Sequence, residues 1–269
     1  MSTVGFLHPG AMGASIAAAC RAADRLWCSE GRSAATIARA EAAGLTAVVT
    51  LDELAERSDV IVSVCPPEAA EDVAAAVQGT RFHGIYVDAN AVAPDTARRI
   101  ATRFERFVDG GIVGPPVDGQ GSTRLYLAGD EVGTVAAMWE GSDLEARVLA
   151  GGVGSASALK AAYAAWTKGS SALLLAVRAY ARAEGVDAEL MTEWAQSQPG
   201  LQERSEGVAR STAPKAWRFE AEMREIAAAL AATGLPTGFH DAAAEIDRRL
   251  AGFKDRADVD TASVLDALG

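Results

Sequence analysis

Cysteine is scarce in this chain of 269 residues, and its scarcity excludes two kinds of scaffold. Cys20, Cys28 and Cys65 are odd in number and lack the paired spacing of zinc ligands. We therefore expect neither a framework of disulfide bonds nor a metal site. The fold must depend on an ordinary apolar core.

An excess of positive charge and long apolar runs are missing as well. The formal net charge is −11, which disfavours nucleic acids and anionic membrane surfaces as partners. No apolar run is long enough to span a bilayer, and the chain opens with a strand rather than a secretion signal. We expect a globular protein of the cytoplasm.

The first half of the sequence contains a regular alternation of strand and helix signals. Seven short apolar runs read as strands: 3–7, 25–28, 47–49, 59–64, 84–88, 107–109 and 124–128. Helical segments follow most of them. Such alternation predicts the α/β class, with a doubly wound and mostly parallel sheet.

The pattern changes near residue 152, where the strand signals end. Residues 155–184 read as one long helix that is apolar nearly all round, which predicts a buried helix, and further helices follow it. We therefore predict a first domain over 1–152 and an all-helical second domain over 153–269. The long helix would open the second domain.

The run 8–13, His-Pro-Gly-Ala-Met-Gly, follows the first strand and precedes a helical segment predicted over 14–23. In G-x-G-x-x-G turns, close backbone approach and the helix N-terminus hold the pyrophosphate of a dinucleotide. Here His8 stands where the first glycine belongs. An ordinary strand-to-helix turn is the alternative, but the position favours a Rossmann cofactor site formed by His8, Pro9, Gly10, Ala11 and Met12.

Cofactor choice depends on the segment after the second strand. Glu30 stands about 20 residues past the loop, where an acidic residue would hold the ribose hydroxyls of NAD. Ser29, Arg32 and Ser33 instead offer two hydroxyls and a guanidinium to a 2′-phosphate. We favour NADP(H) over NAD(H).

Two further strand ends carry candidate ligands, because such sheets bind ligands beyond the carboxyl ends of their strands. Cys65 and Pro66 follow one strand, and Asn90 follows the next. No base accompanies Cys65, so packing against the cofactor is a better interpretation than a nucleophile. The Asn90 amide would orient the substrate or the nicotinamide ribose, or only cap a helix.

A polar stripe marks the long helix. At 100° per residue, Lys160, Tyr163, Thr167 and Ser171 share one face. Unpaired polar groups are costly to bury, so this face must meet a cavity or a partner. A buried lysine exchanges protons near neutral pH, which would make Lys160 a general acid or base. A lysine that snorkels to the surface is the alternative.

Together these residues resemble the β-hydroxyacid dehydrogenase superfamily, which includes 6-phosphogluconate dehydrogenase and the imine reductases. The matching segments are the loop 8–13, the segment 87–90, the substrate loop 109–114 and Lys160 after a glycine pair. The runs 30–33, 156–160 and 167–169 are similar to an uncharacterised 6-phosphogluconate-dehydrogenase-like branch whose C-terminal domain has no known function. Two positions depart from the family. Ala164 replaces an asparagine and Val113 replaces a serine.

The resemblance implies an NADPH-dependent oxidoreductase that acts on a small carbonyl or hydroxy compound. Lys160 would transfer the proton, and Asn90 and Tyr163 would orient the substrate. The remaining substrate candidates are Val113, Gly114, Thr167 and His240. A homodimer through the helical domain is implied as well. An imine reductase and a non-catalytic NADP-binding sensor are the alternatives.

Overall fold

The computed structural model describes residues 2–269 and divides into two compact units, one up to Ala161 and the other Ala162–Gly269. A predicted boundary at 152 puts the whole long helix in the second unit. In the structure, the first two turns of that helix belong to the first unit.

The first unit is a doubly wound sheet with helices between its strands. Its strands are β1 (Thr3–Phe6), β2 (Asp24–Cys28), β3 (Thr46–Val48), β4 (Val60–Ser63), β5 (Ile85–Asp88), β6 (Phe107–Val113), β7 (Thr123–Ala128) and β8 (Leu144–Val148). Its helices are α1 (Ala11–Ala19), α2 (Ala34–Ala42), α3 (Leu51–Arg57), α4 (Ala70–Gln78), α5 (Pro94–Ala101) and α6 (Val132–Ala136).

The sheet order is β3-β2-β1-β4-β5-β6-β7-β8. All neighbouring strands are parallel except β6 and β7, so β7 and β8 run opposite to the others. The strand order reverses between β1 and β4, where such sheets open a crevice for a ligand. The predicted fold class is confirmed: a Rossmann sheet followed by helices.

Two segments differ from the sequence predictions. Helix α1 begins at Ala11, not at 14, because Gly10 occupies its N-cap position, and it ends at Ala19. Strand β8 was not predicted. It lies at the sheet edge, where most of its side chains are exposed and the apolar pattern of a strand is weak.

The second unit is helical. Its helices are the later part of α7 (Ser155–Ala183), then α8 (Asp187–Ser197), α9 (Leu201–Thr212), α10 (Ala216–Ala232), α11 (Gly238–Arg249) and α12 (Thr261–Asp266). The buried Arg178 guanidinium ties α7 to α8 and α9: it donates to both carboxylate oxygens of Asp187 and, at 2.7 Å, to Ser205 Oγ. Such a bidentate pair fixes the crossing of helices as well as stabilising it.

The prediction that α7 is buried all round is wrong for a single chain. Five large side chains of this helix remain exposed: Tyr163, Trp166, Leu173, Val177 and Tyr180. Trp166 is 70% exposed and Tyr180 is 67% exposed. A sequence that is apolar on every side does not distinguish burial within one chain from burial against another. Among residues 2–269, no helix is both long and apolar enough to cross a membrane.

Candidate cofactor and active site

The turn between β1 and α1 is shaped for close approach of a ligand. A Cβ added at Gly10 would meet no heavy atom within 4 Å, whereas one at Gly13 would collide with the carbonyl of His8. Gly13 therefore lets α1 pack tightly on the strand, and Gly10 leaves space above the turn. The first amides of α1 point into that space without intrahelical acceptors, as at every helix N-terminus.

His8 is largely buried beside this turn. Burial, and then the neighbouring Arg32 guanidinium, lowers the pKa of His8 to about 4, so the imidazole is neutral at pH 7. Its Nδ1 atom is buried and has no hydrogen-bond partner. An orphaned ring nitrogen in this position fits a site that a ligand completes.

A cavity of about 270 Å³ lies next to His8. Its walls are mainly apolar, and His8, Arg32 and Asp72 supply its polar groups. The Nε atom of Arg32 is buried and unpartnered, like Nδ1 of His8. A flat apolar group with a charged edge fits such walls, and the adenosine half of NADP(H) has this character.

The two serines near Arg32 already have local partners. Ser29 Oγ donates to the carbonyl of Val48 at 3.0 Å. Ser33 is the N-cap of α2, where its Oγ accepts from the amide of Thr36 at 3.3 Å. Their predicted phosphate contacts stay predictions, and Arg32 is the group best placed for an anion.

At the ends of β4 and β5, a buried polar network surrounds Asn90. Its Oδ1 accepts from the amide of Cys65 at 2.6 Å, and its Nδ2 donates to Ser63 Oγ and to Asp88 Oδ2. Asn90 is only 2% exposed. The amide therefore joins two strand ends, and its predicted contact with substrate stays a prediction.

Two titratable groups belong to this network. Burial raises the pKa of the Cys65 thiol to about 12, which agrees with a packing role for Cys65 and Pro66 rather than a nucleophile. Burial also raises the pKa of Asp88 to about 7, a rise to which the charge of Asp109 contributes and which the hydrogen bonds from Asn90 oppose.

Asp109 has a role that the sequence did not reveal. It lies in β6, opposite Asp88 in the parallel pairing of β5 with β6. Its Oδ2 accepts from the amides of Gly154, Ala156 and Ser157, at 2.9, 2.8 and 3.1 Å. Its Oδ1 accepts from Ser157 Oγ at 2.6 Å. A strand carboxylate thus caps the N-terminus of α7.

Lys160 follows on the next turn of α7 and lies over Gly111 of β6. A Cβ added at Gly111 would lie 2.6 Å from the carbonyl oxygen of Ala156 and 3.2 Å from Cβ of Lys160. Only glycine allows the helix to approach the strand so closely. The amine-bearing residue is therefore carried by the Rossmann unit.

The segment 109–114, which the resemblance assigns to a substrate loop, lies mostly in a strand inside the sheet, because β6 lies between β5 and β7. Val113 is the last residue of β6, and its side chain is buried. Gly114 turns the chain with φ +124°, a conformation that favours glycine. Their substrate contacts stay predictions.

The other predicted site residues lie in the second unit. Tyr163 is 46% exposed, and Thr167 Oγ1 donates to the carbonyl of Tyr163 at 3.0 Å. His240 packs on Gly169 of α7, with its Nε2 3.3 Å from the carbonyl oxygen of Ala165. Its Nδ1 is buried without a partner. These substrate roles are likewise untested predictions.

Two family models match the chain, one in each half. Residues 3–92 match the family described as NADP oxidoreductase, coenzyme F420-dependent. Residues 181–250 match DUF1932, a domain of unknown function. The first match contains the glycine turn and the cavity residues, and the second begins near the end of α7.

One curated relative matches about three fifths of the chain. A protein of Methanothermus fervidus, described as an uncharacterized 28.5 kDa protein in the 7S RNA 5′ region, is 31% identical over 166 residues. The match covers 61% of this chain and 64% of that protein, slightly less than two thirds of the relative's length.

Solved structures extend the likeness over the whole chain. A conserved protein of unknown function, MTH1747, described as structurally similar to 3-hydroxyacid dehydrogenases, is 25% identical, with a TM-score of 0.66 over 92% of this chain and 98% of that one. A 3-hydroxyisobutyrate dehydrogenase of Mycobacterium tuberculosis is 19% identical, with a TM-score of 0.70 over 100% and 99%. A reductive aminase of Aspergillus terreus, solved with NADPH and ethyl levulinate, is 20% identical, with a TM-score of 0.56 over 100% of both chains.

The last two likenesses are under 25% identical and show the fold alone. The paired family models and the likeness to MTH1747 go further, and they confirm the resemblance found in the sequence. Residues 3–92 thus carry the likeness to an NADP oxidoreductase domain, residues 181–250 carry the likeness to DUF1932, and 92% of the chain is similar in structure to MTH1747.

Proposed function

We propose that this chain is an NADP(H)-dependent oxidoreductase acting on a small carbonyl or hydroxy compound of the hydroxyacid type, with Lys160 as proton donor or acceptor. The observation that carries the proposal is the open turn at Gly10 beside a cavity in which His8 and Arg32 each present a buried, unpartnered nitrogen. Such a site suits a large ligand with phosphate groups.

Different residues would hold the pyrophosphate and the 2′-phosphate of NADP(H). The amides of Ala11 and Met12 at the start of α1 would hold the pyrophosphate, since a helix N-terminus favours an anion. The Arg32 guanidinium would hold the 2′-phosphate, which favours NADPH over NADH. His8, neutral at pH 7, would add a hydrogen bond without adding charge.

When bound, NADPH supplies a hydride, so reduction of a carbonyl needs one further proton from the protein. The Lys160 amine would donate that proton to the oxygen that becomes the hydroxyl, and would accept it in the reverse direction. The cap by Asp109 and the glycine at 111 support this role, because they hold α7 firmly against β6. Tyr163 and His240 would orient the substrate.

Imine reduction is the second candidate. It is favoured by Val113, an apolar residue where the superfamily has a carboxylate-binding serine, and by the fold shared with a reductive aminase. An imine lacks the carboxylate that such a serine holds. Lys160 would then donate its proton to nitrogen instead of oxygen.

The test is NADPH oxidation, followed at 340 nm, with panels of 3-oxoacids, aldehydes, ketones and cyclic imines. We expect turnover on one panel, and a loss of 100-fold or more in kcat for Lys160→Ala with an unchanged NADPH Kd. Tight NADPH binding without turnover on any panel would support the sensor alternative and refute the enzyme proposal. Equal rates for Lys160→Ala would refute only the role of Lys160.

We also propose that two copies associate through α7. Four of the five exposed side chains fall at positions 166, 173, 177 and 180, spaced by seven, four and three residues, as on one stripe of the heptad repeat of paired helices. Such a stripe is costly to leave in water. A second copy presents a matching stripe.

A further inference from the structure

The hydrogen bonds that the Asp109 carboxylate accepts all come from one helix end. Its two carboxylate oxygens accept three amides and one hydroxyl from the residues that open α7. Burial raises the pKa of Asp109, and the hydrogen bonds from Ser157, Ala156 and Gly154 oppose this rise because they favour the ionised carboxylate. The residue is completely buried.

This cap differs from an ordinary one, because its residue stands 45 to 48 positions before the amides that it binds. A local cap fixes only the start of a helix, whereas this one also fixes the helix to the neighbouring strand. Gly111, two residues further along β6, lets the next turn of α7 come within contact. The two residues together determine where that turn lies.

Lys160 stands on that turn, three residues after Ser157. We propose that Asp109 is a positioning residue: its carboxylate anchors the first turn of α7 to β6 and thereby sets the place of the Lys160 amine. The inference rests on the proposed function, in which Lys160 carries the proton. Asp109 is the first residue of the predicted substrate loop, and in this proposal it contacts the helix that carries Lys160 rather than a ligand.

The anchor also acts through its charge. The carboxylate binds the amide of Ala156, and the four residues from there to Lys160 rise about 6 Å along the helix. With the length of the lysine side chain added, we take roughly 10 Å as the separation of the Asp109 carboxylate and the Lys160 amine. A unit charge at that distance, at an effective dielectric constant of 20, shifts a pKa by about one unit. The negative Asp109 therefore favours protonated Lys160, which suits a proton donor.

Two further charged groups pack near this helix end. Asp88 lies beside Asp109 on β5, and the Arg98 guanidinium of α5 lies against Gly154. The pKa of Asp88 is raised to about 7, mainly by burial. Titrations are therefore read above pH 8, where Asp88 is ionised.

Two substitutions separate charge from placement. Asp109→Asn keeps one oxygen for the three amides and an amide that can donate to Ser157 Oγ, but removes the charge. Asp109→Ala removes the anchor. Ile100→Ala removes a buried side chain of α5 that makes none of the hydrogen bonds of the anchor, so it is the control for a loss of stability alone.

The direct readout is the ionisation of Lys160 itself. The chain has four lysines, Lys160, Lys168, Lys215 and Lys254, so reductive methylation with a ¹³C label gives few NMR signals, and Lys160→Ala identifies one of them. We expect Asp109→Asn to lower the pKa of Lys160 by about one unit, with the alkaline limb of kcat moving equally. We expect Asp109→Ala to lower kcat at least 10-fold with an NADPH Kd within twofold of wild type.

An unchanged Lys160 titration in Asp109→Asn, together with an Asp109→Ala enzyme no slower than Ile100→Ala, would overturn the proposal. Wild-type protein without any turnover would refute the proposed function instead. The NMR titration would still decide whether Asp109 controls Lys160, because it needs no substrate.

Discussion

The close approach of α7 to β6 makes Gly111 the most sensitive position of the proposed active site. In Gly111→Ala, the new Cβ would lie 2.6 Å from the carbonyl oxygen of Ala156, and ordinary contact begins at 3.4 Å. The obstacle is helix backbone, which does not rotate away as a flexible side chain does. The first turns of α7 must therefore shift by about 0.8 Å.

A shift of this size has two measurable consequences. Overpacking a buried contact costs about 1 to 3 kcal/mol, which lowers the Tm by several degrees in a domain of this size. A displacement of about 1 Å at a reacting group costs about 100-fold in rate. We expect kcat to fall about 100-fold. The Kd for NADPH should stay within twofold, because the glycine turn at Gly10 follows β1, and β4 and β5 lie between β1 and β6 in the sheet.

Gly152→Ala is the matched control. It lies four residues before Ala156, and its added Cβ would meet no heavy atom within 4 Å. We expect its Tm and kcat to equal those of wild type. The reasoning fails if Gly111→Ala loses stability but keeps kcat within threefold, or if Gly152→Ala is equally slow.

Three other predictions follow from single contacts. Arg32→Ala should weaken NADPH binding at least 10-fold and NADH binding less than twofold, as measured by fluorescence titration; equal losses would exclude a 2′-phosphate contact. Leu173→Glu should convert a dimer to a monomer in sedimentation velocity, whereas Glu184→Gln should not; a monomeric wild type would refute the dimer. Burial raises the pKa of Asp247 to about 7, opposed by Lys168, so the folded state holds a proton that the unfolded chain releases near pH 4. Stability should therefore fall as the pH rises from about 4 to 7, and Asp247→Asn should flatten this fall in urea titrations; an unchanged slope would refute it.

The sheet could be predicted from the sequence because its buried strands are continuous apolar runs. The run 59–64 is the clearest example, and the structure has β4 within it. Edge strand β8 was not predicted, because only Leu144 of its five residues is buried and charged residues such as Glu145 are exposed. An exposed edge carries too few apolar residues to separate a strand from a loop.

The glycine turn and the polar face that carries Lys160 could also be proposed from the sequence, because each depends on neighbours within a few residues. The cap by Asp109 could not, since it joins positions more than 40 residues apart through a side chain. The burial of α7 could not be predicted from the sequence either. The apolar sequence of α7 is compatible with packing on its own chain and with packing on a second copy, and exposed side chains such as Trp166 show that part of this surface does not pack on its own chain.

Proton transfer by Lys160 during hydride transfer is the central claim, and a single-turnover experiment tests it most directly. The protein is saturated with NADPH deuterated at the transferred position and mixed with the best substrate of the panels. We predict deuterium in the product, a primary isotope effect, and a rate at least 100-fold lower for Lys160→Ala. A Lys160→Ala rate equal to wild type, or a product without deuterium, would contradict the account.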